Sequence, residues 1–487
     1  MKTSVLLTAC LFGLAAKEVA AKGPDIIVGN ITEVTRWSHV GDITAFSIGS
    51  TACNIGDTPV QWQGNTNRHP VISQNLYRYR DGRFEQIGQS WMKHGFAADT
   101  QNACAICQVP GSAFLLGIGC SDTYRSQLNG SQSSMRPRSS INPVTGLFQH
   151  PSSAPPLNGD LDRRMQVRDS DLDPDLNVDA FYFLEVIYIA PDDAETGNAN
   201  NNASYRQCLV SESPPGAFTL TIALGLITQQ QKNAIEAWLE YDPTVTLSLV
   251  DLPLGGRISI GATATHLNNG FWRYEYAVAN HNSDRAIGRI SITSPPDAVI
   301  TNVGFHDVDS HSGEPYSNTD WPNEHTHGLL AWQTTRYQVN QYANPIRWGT
   351  LYNFRFDANA PPVNDCPLSL GLFIPGDPAA ISIPFLGPSS MSPDCNANVI
   401  PDAKELARSP LLDCNGNGIL DNCETTICPG IIGGDLNCDG GVTLDDVMPF
   451  VQAMLTGGPS CQSDMNKDQY TDAQDIVAFI AAVMASQ

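Results

Sequence analysis

The chain has 487 residues, 41% of them hydrophobic, and carries 27 Lys and Arg against 50 Asp and Glu for a net charge of −23. An acidic chain without a basic stripe excludes nucleic acid as a partner, because phosphate binding needs clustered Lys and Arg. No stretch beyond the N-terminus is long and apolar enough to span a bilayer, and the length accommodates two domains with sizeable cores.

Residues 1–21 read as an export signal. Lys2 supplies the positive end, Val5 to Ala16 an apolar run, and Val19-Ala20-Ala21 the small residues before a cut. Leu7-Thr8-Ala9-Cys10 also has the form of a lipobox, but the apolar run continues past Cys10, which favours simple secretion. Twelve cysteines then remain, and disulfides are the default for an exported chain. Six lie in the body (Cys53, Cys104, Cys107, Cys120, Cys208, Cys366) and six in the tail (Cys395, Cys414, Cys423, Cys428, Cys438, Cys461). Cys104 and Cys107 have redox or zinc spacing, yet no second pair completes a zinc set.

Residues 22–206 are expected to form a β-rich domain with long loops. Phe181 to Ile189 and Ala217 to Leu226 are strand-like, and the Asn-rich stretch from Asn198 to Asn202 reads as a surface loop near the boundary. One helix follows, with Thr228 as its cap, Ala234, Ile235, Trp238 and Leu239 on one face, and Pro243 as its stop.

Residues 207–387 then turn thoroughly β. Short runs at Thr244 to Val250, Arg257 to Ala264, Phe271 to Val278, Ile287 to Ile292, Ala298 to Val303, Trp348 to Phe356 and Leu368 to Phe373 alternate with turn residues. That spacing predicts a β-sandwich or jelly roll, with Gly387 to Pro393 as the hinge to the tail. The expected fold is therefore mainly β: two β-rich domains followed by a small α-helical module.

Several constellations in the body invite chemistry. His306, Asp307, Asp309, His311 and Glu314 are followed by Asp320, Glu324, His325 and His327, and a strand carrying both His325 and His327 would place the two rings on one face. Ser90, Lys93 and His94 lie close in sequence, with Asp122 further on, but there is no nucleophile elbow. Glu85, Glu185, Glu240 and Glu275 could furnish a carboxylate pair for glycoside hydrolysis. The plainer reading of each is ordinary polar structure.

The densest chemistry lies in the tail. From Met391 to Gln487 fourteen Asp and Glu face three Lys and Arg, so the segment holds −11 of the chain's charge. Four stretches fit a twelve-residue calcium loop, which needs oxygen ligands at positions 1, 3, 5, 7, 9 and 12. The third has Asp435, Asn437, Asp439, Gly441 through its carbonyl, Thr443 and Asp446, with Gly440 at the sharp turn. The fourth has Asp464, Asn466, Asp468, Tyr470 through its carbonyl, Asp472 and Asp475, with Gln469 at the turn. The first has Asp394, Asn396, Asn398, Asp402 and Glu405; the second has Asp413, Asn415, Asn417, Asp421 and Glu424.

The last two loops repeat with an offset of 29 residues, and a helix follows each. Val447, Met448, Phe450, Val451, Met454 and Leu455 correspond to Ile476, Val477, Phe479, Ile480, Val483 and Met484, apolar in both copies at helical spacing. Two such units are expected to pack together. From Gly433 to Ala485 the chain resembles a type I dockerin, a duplicated calcium-loop-helix module that binds a cohesin domain. It departs from that family at Gln469 and at the pairs Leu444-Asp445 and Ala473-Gln474, where dockerins select their cohesin. Residues 388–432 resemble thrombospondin type 3 repeats, which string calcium loops along a chain with little core.

The resemblances imply Ca²⁺ as the bound ion, residues 433–487 as the attachment module, and a cohesin-like or other surface protein as partner. The expected function is a secreted calcium-binding protein with a binding or matrix body. The alternative is an extracellular polysaccharide hydrolase carried by a dockerin, an inference from a neighbouring module alone.

Overall fold

A computed structural model describes residues 23–131, 134–150, 159, 161–253, 255–267, 270–392, 394–396, 400–409, 412–413, 418–420, 423, 432–437, 439–456, 462–466 and 471–485. The expected signal at 1–21 lies outside them, as do Asn398, Asn415, Asn417, Asp421, Glu424, Asp468, Gln469 and Tyr470. So do Cys414, Cys428, Cys438 and Cys461.

The chain is mainly β. Its first sheet has ten antiparallel strands and begins with a long hairpin, Ile26–Val40 against Ile43–Asn54, turned at Gly41 with φ +66°. Met165–Arg168, Arg83–Gln89, Val71–Arg80, Phe181–Ile189, Ala203–Glu212 and Phe218–Ile222 follow in spatial order. The short strands Lys93–His94 and Ser121–Tyr124 pair with Val71–Arg80 and Ile43–Asn54. Ile26, Val28, Phe46, Ile48, Leu76, Leu184, Val186 and Leu220 share one core, so the sheet folds over on itself. Side chains bridge its far ends: Ser204 Oγ donates to Val28 O at 2.7 Å and Arg206 Nη1 to Ile31 O at 2.7 Å.

The domain boundary expected at residue 206 cuts through the strand Ala203–Glu212, which is paired on both sides. Phe218 and Leu220 belong to the first core, so the first domain runs to Ile222. The predicted helix is also shorter, Glu236–Tyr241, and Thr228 does not cap it. Thr228 Oγ1 instead accepts Ile31 N and donates to Asn30 Oδ1, holding the curled edge of the first sheet. Ala234, Ile235 and Trp238 are buried as expected, whereas Leu239 faces solvent. The helix is a wedge: Trp238 and Ile235 pack against Phe84, Phe183 and Tyr205 of the first domain and Ala277 and Leu351 of the second.

The second domain is a sandwich of two five-stranded antiparallel sheets. One contains Thr246–Asp251, Arg257–His266, Trp272–Asn280, Thr350–Ala358 and Ile300–His306. The other contains Asn323–Thr326, Leu329–Gln333, Ile287–Thr293, Pro362–Leu372 and Ala380–Pro388. Alternate residues point inward from both, Ile258, Ile260, Tyr274 and Phe354 meeting Ile290, Ile292, Trp332 and Leu370. Arg138 locks the two domains together. Its buried guanidinium donates to Ser90 O, Gln74 O and Asn75 Oδ1 of the first domain and to Gly349 O of the second.

Disulfides join Cys53 to Cys104, Cys107 to Cys120 and Cys395 to Cys423. Cys104 and Cys107 therefore pair apart, which removes the redox reading. Cys208 and Cys366 depart from the expectation of full pairing and are buried thiols in the two cores. No helix among the described residues is long and apolar enough to cross a membrane.

Candidate metal centres and the interdomain cleft

In the tail, the helices Val447–Thr456 and Asp475–Ala485 meet through stacked Phe450 and Phe479 rings, 3.9 Å apart and parallel to 1°, over a core with Val442 and Val483. The loop preceding each helix is organised by its last aspartate, both fully buried. Asp446 Oδ1 accepts Leu436 N and Asn437 N, and Oδ2 accepts Thr443 N at 2.7 Å. Asp475 repeats this at the same offset, accepting Asn466 N and Asp472 N at 2.9 Å. Thr443 also caps its helix by accepting Asp445 N.

The first position of the third loop is held by backbone N–H groups. Asp435 accepts Asp439 N and Gly440 N, and Gly440 holds φ +92°, which only glycine adopts freely. Asn437 and Asp439 are joined at 2.9 Å across the loop mouth. The second loop repeats the pattern: Asp413 accepts Gly418 N at 2.8 Å, with Gly418 at φ +83°. Asp464 and Asp472 lie in the described part of the fourth loop, where Asp472 accepts Gln474 N.

The first loop gathers charge most tightly. Carboxylate oxygens of Asp394, Asp402 and Glu405 lie within 4.8 Å of one another, and Asn396 bonds Glu405 at 3.2 Å. Burial pushes the Asp402 carboxyl up. The Cys395 N–H opposes this, while Asp394, Glu405 and Asp297 of the sandwich add to it. Three hard oxygen donors so close together could hold a hard cation rather than a thiophilic metal. The tail is also seated on the body: Ile419 and Leu420 are buried, Ile419 lies against Gly270, and Gly418 lies against Val299.

Half of the apolar helix positions do not pack inward as the sequence led us to expect. Met448, Leu455, Val477 and Met484 are each about three-quarters exposed, and Val451 and Ile480 about half. They form equivalent pairs in the repeat: 448 with 477, 451 with 480, and 455 with 484.

In the body, a cleft of about 490 Å³ opens between the two domains. Gln89, Arg168 and Asp171 line it from the first, and His306, Asp307 and Asp309 from the second. A side lobe of about 140 Å³ shares His306 and adds Glu85 and Glu275. Burial pulls Glu85 up, but His306 and Arg78 outweigh it and hold the carboxyl below its ordinary value. Burial raises Asp307 to about 6, with Asn344 opposing and Asp320 adding to the shift. The proximity of Glu85 and Asp171 to His306 is a long-range juxtaposition that no local sequence signal reveals.

The rest of the histidine constellation is dispersed. His311 is buried with its ring nitrogens against Ser312 O and Arg164 O. Glu314 accepts Arg138 N and Ser139 N. Asp320 and Glu324 line a separate surface pocket. His325 lies on Asn323–Thr326 but His327 occupies the turn at φ +50°, so the two do not share a strand face. The Ser90 hydroxyl donates to Trp91 O and accepts Gln74 N, while His94 packs on His69 and Phe148. The four glutamates are separately engaged: Glu85 by Arg78, Glu185 by Asn75, Tyr77 and Ala234 N, Glu240 by Lys232, and Glu275 by Arg83.

No family model matches the chain, and no curated protein matches it. Among solved structures, a serine-rich repeat protein (Srr2) from Streptococcus agalactiae aligns over 77% of this chain and 97% of its own, at 10% identity and a TM-score of 0.18. A likeness at that level carries no argument about fold or function.

Proposed function

We propose that this is an exported calcium-binding protein. In this reading its dockerin-like tail attaches it to a cohesin-like or other scaffold protein, and its two-domain body is a binding or matrix module. The observation that carries the reading is the symmetry of the tail. Both position-twelve aspartates gather the same backbone N–H groups, and the same three apolar positions of each helix stand exposed. A soluble protein leaves such a surface uncovered where a partner covers it.

Asp435, Asn437, Asp439, Gly441 O, Thr443 and Asp446 would hold one ion, and Asp464, Asn466, Asp468, Tyr470 O, Asp472 and Asp475 another. Asp394, Asp402 and Glu405, with Asp413 in the next loop, would serve the linker. Calcium supplies the positive charge that the −11 tail lacks. In the body each glutamate that could have formed a hydrolytic pair holds a different partner, which favours binding over hydrolysis. The test is calorimetric titration of the full chain with calcium, where binding is expected at about 10⁻⁴ to 10⁻³ M as in extracellular modules. Asp435→Ala with Asp464→Ala should abolish the part of the heat that belongs to the dockerin-like loops. A heat identical in the variant would refute it.

A further inference from the structure

Lys93 is 1% exposed on its short strand, and its Nζ has no hydrogen-bond partner. The amine lies over the Tyr124 ring, 2.7 Å from its centre, with the Phe96 ring at 5.0 Å. Asp122 precedes Tyr124 by two residues on Ser121–Tyr124, so both side chains leave the same face of the strand. Asp122 is 4% exposed, and its Oδ2 is likewise without a hydrogen-bond partner. The Tyr124 phenol and the Asp99 backbone lie beside the same carboxyl. The Tyr124 oxygen already accepts Trp62 Nε1 at 2.9 Å and Phe96 N at 3.3 Å, which leaves its single proton to turn towards Asp122.

An ammonium and a carboxylate buried with incomplete hydrogen bonding cost several kcal/mol per ion. Their condensation would remove both charges and both unsatisfied atoms at once. We propose that Lys93 and Asp122 are joined by an intramolecular amide, which ties the strand Lys93–His94 to Ser121–Tyr124. The amine swings off the Tyr124 ring, and the Nζ lone pair attacks Asp122 Cγ. The bond from Cγ to Oδ2 breaks, and Oδ2 leaves as water with the acid's own proton and one proton of the amine. The amide nitrogen keeps the other, so no oxidant or co-reactant is needed.

The surroundings suit each part of this step. Burial drives the Lys93 amine well below its ordinary value and raises the Asp122 carboxyl to about 6, which favours the uncharged reacting forms. Charge developing on the remaining oxygen would meet the Tyr124 phenol and the Asp99 N–H beside it, in a site closed to water. The same closure protects the product from hydrolysis.

Trypsin decides the matter, because Arg83, Lys93 and Arg125 are the successive cleavage sites here. The full chain is reduced, alkylated, digested and analysed by mass spectrometry. The expected product is a single Phe84–Arg125 peptide, uncut at Lys93 and lighter by one water, with fragment ions that place the link between Lys93 and Asp122. Lys93→Arg should give two peptides of full mass. Asp122→Asn should form the same product by losing ammonia. Two separate full-mass peptides from the wild type, or an uncut peptide of full mass, overturn the proposal. Should Lys93→Arg fail to accumulate, the wild-type fragment spectrum alone decides.

Discussion

The body and the tail handle buried carboxylates in opposite ways. In the body, several acids meet cations of the same chain: Arg78 holds Glu85 at 2.7 Å and Asp171 at 3.0 Å, and Arg83 holds Glu275 at 2.9 Å. Arg273 and Asp357 pair at 2.9 Å on the sandwich. In the tail, Asp435, Asp446 and Asp475 are bonded by backbone N–H groups, and Asp402 sits among other acids. A region whose buried acids are paired with its own cations folds independently of added ions, whereas one that gathers acids together depends on a counter-charge.

Chelation should break the molecule along that line, and this is the largest effect expected. In EDTA, hydrogen exchange should become fast throughout Val447–Thr456 and Asp475–Ala485 while the two body cores keep their protection. Asp446→Ala should do the same locally, because Leu436, Asn437 and Thr443 lose their shared acceptor. Tail helices that stay protected in EDTA would mean that the Phe450–Phe479 core suffices without metal.

The body should fail through its internal cation instead. Arg138→Ala strands carbonyls on both domains, and each buried acceptor left unsatisfied costs about 1–3 kcal/mol. The urea midpoint of the body transition should fall accordingly and should be indifferent to calcium. A shift below about 1 kcal/mol would mean that water replaces the guanidinium at the domain junction.

A smaller effect follows pH. Burial raises Asp193 from its ordinary 3.8 to about 7, while its oxygens accept Ile26 N and Asn202 Nδ2. An acid whose pKa is higher in the folded state binds more protons folded than unfolded. Its contribution is therefore full below the ordinary value and is lost as pH rises towards 7, with a slope of at most about 1.4 kcal/mol per pH unit. Asp193→Asn should remove that part of the decline between about pH 4 and pH 7. Parallel urea-midpoint profiles for the variant and the wild type would show that the carboxyl stays charged.

What could be read in the sequence depended on how local the determining contacts are. Phe181–Ile189 and the sandwich strands announce themselves through short apolar runs and turns. Ile26–Val40 does not, because register shifts after Val28, Ile31 and Arg36 break the two-residue alternation. The strand Ala380–Pro388 runs into the hinge expected from Gly387 to Pro393; it lies at the edge of its sheet, where the missing N–H of Pro384 and Pro388 is tolerated. The turn at Asp81-Gly82, with φ of +51° and +77°, is a hairpin signal that is local in the sequence. Among candidate site residues, the loop positions of the tail can be named from sequence because they are spaced within one short segment. The meeting of His306 with Glu85 and Asp171 is made by domain packing and leaves no local trace.

The tail helices show a finer limit. Apolar residues at 447, 448, 450, 451, 454 and 455 cover too wide an arc for spacing to separate the inward half from the outward half. The structure separates them: Phe450 turns in, while Met448, Val451 and Leu455 turn out. The smallest expected stability effect follows. Met448→Ser with Val477→Ser should change the calcium-loaded tail by less than about 0.5 kcal/mol, as for ordinary surface substitutions. Phe450→Ala, by contrast, removes half of the stacked pair and should cost about 3–5 kcal/mol. Thermal unfolding of the calcium-loaded full chain, followed in the tail transition, compares the two. Equal losses would place the serine pair in the tail's own core. A loss confined to Phe450→Ala would leave Met448 and Val477 free of any folding role, as the proposed docking surface requires.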